Sequence, residues 1–97
     1  MPKVSHKVKE NYIHELLAVF EKSAKNKQFL KEFLADLLTP EELEHLALRW
    51  QIVKFLNKGF TQREVSRELK VSIATITRGS RVLRNKYGAF NKILQRV

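Results

Sequence analysis

The 97-residue chain contains no cysteine, so neither a disulfide framework nor a thiolate metal site is open to it. Its three glycines, Gly59, Gly79 and Gly88, lie far apart and form no phosphate-cradling loop. Asp36 is the one aspartate, and His6, His14 and His45 stand at no spacing that makes a metal site or a catalytic dyad. An enzyme is therefore not expected. No apolar run approaches the ~20 residues that cross a membrane. The first residues, Met-Pro-Lys-Val-Ser-His-Lys, lack the apolar core of a signal peptide. A cytoplasmic protein with no membrane partner is the expectation.

What is present is positive charge, unevenly placed. The formal net charge is +9. Residues 1–60 hold ten Lys/Arg against eight Asp/Glu, whereas residues 61–97 hold nine against two. A half of that density points to a polyanion, and nucleic acid is the commonest one. A membrane-surface helix would need a broad apolar face opposite the basic one. Gln62 to Lys86 offers only a narrow stripe.

Hydrophobic spacing predicts an all-α chain of about six helices in a single domain. Residues 1–7 read as a mobile basic arm, and residues 8–58 as dimerisation and core helices. A helix is expected from about Val8 to Lys22, carrying Tyr12, Ile13, Leu16, Leu17, Val19 and Phe20. A second, from about Lys27 to Leu38, carries Phe29, Leu30, Phe33, Leu34, Leu37 and Leu38. That wide stripe looks like half of an oligomer core. Thr39-Pro40-Glu41-Glu42 is the clearest helix start, with Thr39 as N-cap, Pro40 at the first helical position and Glu42 closing a capping box. The helix should run to about Asn57 and stop at Gly59. Its apolar residues fall on two sides, as for a strut covered on both.

Residues 61–86 read as a helix-turn-helix. Thr61 stands three residues before Glu64, a second capping box, and Val65 and Leu69 share a face. Lys70-Val71 breaks the period. Lys70 stands at the turn position where helix-turn-helix units often place glycine, and where a positive φ would cost on the order of 1 kcal/mol. Ser72 can cap a helix from Ile73 to about Asn85. Val71, Ile73 and Ile76 are expected to face inward. Small Ala74 and Thr75 leave the leading end slim enough for a major groove. A short helix over 89–96 closes the chain.

Ile73-Ala-Thr-Ile-Thr-Arg-Gly-Ser80, with Leu38-Thr39-Pro40-Glu41 and Thr61-Gln62-Arg63-Glu64, closely resembles the trp repressor family. The resemblance covers roughly residues 29 to 86. It implies an intertwined homodimer that binds double-stranded operator DNA and represses transcription when L-tryptophan is bound as corepressor, with no prosthetic group. By the same resemblance, Arg49 binds the ligand carboxylate and Arg78 lies over the indole. Thr39 and the carbonyls near Asp36 and Leu38 contact the ligand, and Gly79 leaves room beside it. Val82 stands where many members carry a small residue, and is expected to narrow the pocket. The loop 58–61 is about one residue shorter than the best-known pattern, which is expected to shift the tilt of the reading helices.

The resemblance assigns base or groove contact to Arg63, Ile73, Ala74 and Thr75. It assigns phosphate contact to Gln62, Ser66, Thr77, Ser80 and Arg84, and Arg81 is expected to add a contact peculiar to this chain. Two other functions fit the residues. One is a ligand-independent helix-turn-helix protein, either a constitutive regulator or a recombination-associated module. The other is a basic helical module that docks an acidic protein or RNA.

Overall fold

A computed structural model describes residues 6–97, with side chains from residue 9 onward. Residues 1–5 of the expected basic arm lie outside the described residues. The described backbone is helical throughout, with no strand, in the order α1 (His6–Ser23), α2 (Lys27–Leu37), α3 (Pro40–Asn57), α4 (Gln62–Leu69), α5 (Ile73–Leu83) and α6 (Ala89–Leu94). Six helices at nearly the expected boundaries match the sequence reading. The first begins two residues early and takes in positions 6 and 7 of the expected arm. No described helix is long and apolar enough to cross a membrane.

The chain divides into two compact units, residues 1–43 and 44–97. In the first, α1 and α2 form a hairpin. The turn is closed by the Ala24 N–H donating to Phe20 O (2.8 Å) and the Leu30 N–H to Asn26 O (2.9 Å). Asn26 caps α2 by accepting from the Phe29 N–H at 3.0 Å. Ser23 is fully buried because its hydroxyl donates to Phe20 O at 2.9 Å, which satisfies it inside the turn. Phe20 and Phe33 meet edge to face, with centroids 5.4 Å apart. Among the described residues this unit buries no apolar side chain, and Tyr12, Ile13, Leu17 and Phe29 are each more than half exposed.

The second unit holds the core. Ile52 of α3, Val65 of α4 and Ile76 of α5 are buried together, with Leu48, Phe55, Leu56, Leu69 and Val71 packed around them. Gly79 is what lets α5 come this close to α3. A Cβ there would lie 3.0 Å from Ile52 Cγ2 and 3.6 Å from Val53 Cγ2. Ile73 departs from its expected inward position, being 47% exposed while Ile76 is fully buried. The reason is that Ile76 and Gly79, three residues apart, already fill the stripe against α3, and Ile73 overhangs its end at the first position of the helix.

Local signals set the ends of α3 and α4. Thr39 accepts from the Glu42 N–H at 3.1 Å while Glu42 accepts from the Thr39 N–H at 2.9 Å. Thr61 and Glu64 repeat this box, with both bonds at 3.1 Å. These backbone N–H donors, then the threonine hydroxyls, hold both glutamates below the usual carboxylate range. At the far end of α3, Gly59 adopts φ +99. The Gly59 N–H donates to Leu56 O and the Phe60 N–H to Phe55 O. The Phe60 ring packs edge to face on Phe55 with centroids 5.2 Å apart. That is a Schellman stop with its apolar contact in place.

Two left-handed positions give one paired expectation. Gly59→Ala should cost about 1 kcal/mol of stability, and Lys70→Gly, at φ 56 and ψ 45, should gain up to about that much. Denaturant midpoints of the two variants check the opposite signs. Thr61→Ala should lose roughly 1 kcal/mol through the lost cap, seen as a lower Tm. Because Glu42 and Glu64 titrate lower folded than unfolded, the stability they add is present above the ordinary carboxylate range and fades as pH falls through the lowered value. A thermal-melt series in acid should show Thr61→Ala losing less of its stability on acidification than the parent.

Candidate DNA-reading helices and ligand cavity

Helices α4 and α5 form the expected helix-turn-helix, and three contacts fix the turn between them. Lys70 takes the left-handed conformation, and its N–H donates to Ser66 O. The Ser66 hydroxyl donates to Val71 O at 2.6 Å. The Thr77 hydroxyl, on α5, lies within donating distance of Gln62 Oε1 on α4 (3.2 Å) and of Ile73 O (2.9 Å). A hydroxyl has one proton. In this arrangement Ser66 and Thr77 therefore use theirs inside the motif, and toward an outside phosphate they have only lone pairs to offer. Gln62 accepts through Oε1, which leaves its amide N–H groups as outward donors.

The leading end of α5 is capped by Ser72, whose Oγ accepts from the Thr75 N–H at 3.3 Å and lies 2.9 Å from Thr75 Oγ1. Ile73, Ala74 and Thr75 are exposed beside that cap, as are Arg63, Arg81 and Arg84, while Gln62, Ser66, Thr77 and Ser80 are half-buried. All ten residues expected at DNA thus lie on α4, α5 or the C-cap of α5. The trailing end is held differently. The Asn91 side-chain amide donates to Leu83 O (2.9 Å) and Asn85 O (2.7 Å), tying α6 to the end of α5.

Between α3, α5 and α6 lies a cavity of about 560 Å³, within the size range of small-molecule sites. It brings together four of the five residues expected at a ligand: Arg49, Arg78, Gly79 and Val82. Its apolar wall is Leu48, Ile52, Val53, Val71, Val82 and Phe90. Val82 does stand in the lining, where its branched side chain takes up room. Thr39 belongs to the other unit, where it caps α3. Among the described residues no carboxylate lines the cavity. Two guanidiniums against apolar walls suit a ligand with a carboxylate and a flat apolar body.

Sequence reasoning did not place His45 or Phe90 here. The i,i+4 step from His45 to Arg49 was a usable signal, whereas Phe90 arrives only through the tertiary docking of α6. The cavity also includes Ser72, Ala74 and Thr75, the leading end of the reading helix. Among the described residues no cluster of His, Cys, Asp or Glu could hold a metal.

Comparison with known proteins agrees with this architecture. Residues 12–97 match the family described as Trp repressor protein. A Trp operon repressor homolog of Vibrio campbellii is 38% identical over 84 residues, covering 86% of this chain and 83% of that protein. Homologs of the same description from Actinobacillus succinogenes and Pasteurella multocida are 51% and 47% identical over 55 residues. Those two matches span 56% of this chain and only about half, 54%, of each relative. With the helix-turn-helix pair, the arginine-lined cavity between α3, α5 and α6 and a match over nearly all of the described chain, this protein belongs to the Trp repressor family.

Proposed function

We propose that the chain is a sequence-specific DNA-binding repressor of transcription whose hold on its operator depends on a small corepressor, L-tryptophan. The observation that carries this reading is a shared wall. Ala74 and Thr75, at the slim end of α5, line the same cavity as Arg49 and Arg78. A ligand seated there touches the residues that would meet the bases. It would fix α5 at one tilt, and it acts only to the extent that it prefers that tilt over others. The carboxylate goes to Arg49, and the indole lies against Arg78 and the apolar wall.

On the DNA side, Arg63, Ile73, Ala74 and Thr75 face the bases. Gln62, Ser80, Arg81 and Arg84 take phosphates, while Ser66 and Thr77, their protons used inside the motif, shape the turn. The working form is a homodimer. Supporting this, α1 and α2 bury no apolar side chain among the described residues, while Tyr12, Ile13, Leu17 and Phe29 stand open on them. An exposed apolar face of that kind calls for a second surface.

Duplexes selected from a random pool with tryptophan present should bind the protein tightly with the ligand and weakly without it. Equal binding in both conditions would instead identify a ligand-independent regulator. Arg49→Ala should abolish tryptophan binding by calorimetry while sedimentation still reports a folded dimer. Retained binding removes Arg49 from the site. Arg63→Ala should lose ~1–3 kcal/mol mainly at one base-pair position. Arg84→Ala should instead weaken every sequence alike and flatten the salt slope by about one. Binding to a panel of single-base variants at several salt concentrations separates the two.

A further inference from the structure

The ligand cavity has one histidine in its lining. His45 lines it from α3, one helical turn before Arg49, and Arg78 lines it from α5. Side chains four apart on a helix are neighbours, with Cβ atoms about 5–6 Å apart. A carboxylate held by Arg49 is therefore within reach of the imidazole. On its own helix Glu41 stands four residues before His45, Glu42, engaged in the capping box with Thr39, three before, and Glu44 beside it; none of the three is in the cavity lining, and α6 contributes only Phe90. The lining itself thus holds two fixed positive charges with His45 and, among the described residues, no carboxylate.

We propose that His45 is a third ligand-contacting group in this cavity, and that its protonation tightens the hold on the carboxylate of an aromatic amino acid. The inference rests on reading the cavity as the tryptophan site. A neutral imidazole offers one N–H, whereas the imidazolium offers two and a charge. A bound carboxylate favours the charged imidazole beside it, so ligand binding draws a proton onto His45. By reciprocity, acidification strengthens ligand binding by the same factor. Corepressor affinity thus carries a pH dependence set by one residue of α3.

The test is calorimetry of L-tryptophan with the full chain and with His45→Gln, at about pH 5.5 and about pH 8, on either side of the imidazole range. Repeating it at about pH 7, within the imidazole range, in two buffers of different ionisation enthalpy counts the protons taken up. The parent should bind roughly threefold to tenfold tighter at the lower pH, as expected for one added charge at this range in a partly solvated site, and should take up protons on binding. His45→Gln should bind with the same Kd at both pH values and take up none. Because His45 is exposed on its helix, the variant should keep the parent's melting temperature. A parent whose Kd does not change with pH and which takes up no proton overturns the inference and leaves the tryptophan reading standing. A pH dependence that survives in His45→Gln assigns it to another group and overturns the inference as well. Absence of tryptophan binding at both pH values overturns the ligand reading and this inference together.

Discussion

The close approach of α5 to α3 at Gly79 is the constraint on which the rest of the second unit depends. The site where a Cβ would sit is 3.0 Å from Ile52 Cγ2, tighter than ordinary packing, so a larger residue there requires the buried Ile52 side chain to give by a few tenths of an ångström. With Gly79 pressed down and Ile76 fully buried, the remaining faces of α5 are assigned. Its leading end stays outside, slim and capped, and the flank with Arg78 and Val82 turns toward the cavity. The same contact leaves space farther along, around Arg49, Ala74 and Thr75. The cavity and the exposed leading end of α5 thus arise from one helix seated at one point.

Much of this was legible because the signals are local. The boxes at Thr39–Glu42 and Thr61–Glu64, the Ser72 cap and the Gly59 stop each involve residues within five positions of one another. Such spacings do not depend on the tertiary fold, and all four were read correctly. Lys70 in the left-handed region followed from the turn in the same way. What failed to show was decided at longer range. Ile73 has the residue type of a core position, but whether α3 extends beneath it is not written in its own helix. The apolar spacing extends α5 to about Asn85, two residues past its end at Leu83. Its end is held by Asn91, eight residues beyond Leu83.

The candidate site divides along the same line. Arg49 and Arg78 came from family resemblance, since periodicity by itself makes Arg49 an ordinary solvated arginine. That they line one cavity is a fact of packing. Ser66 and Thr77 look in sequence like hydroxyls waiting for phosphate. The Ser66 bond to Val71 O forms only with the turn, and the Thr77 bond to Gln62 Oε1 is invisible until α4 and α5 cross. Polar residues of a short motif are prone to this ambiguity, because a hydroxyl that stabilises a turn and one that meets a ligand have the same sequence signature.

The pairing of Trp50 with Phe90 adds a spectroscopic consequence. The rings lie 6.3 Å apart and inclined by 29°, joining α3 to α6, and Trp50 is the one indole in the chain. Phe90 is also a wall of the cavity. Without tryptophan in solution, intrinsic fluorescence excited at the red edge therefore has a single emitter, placed one ring away from the cavity. Quenching or a colour shift of that emission reports the undocking of the last helix without any label.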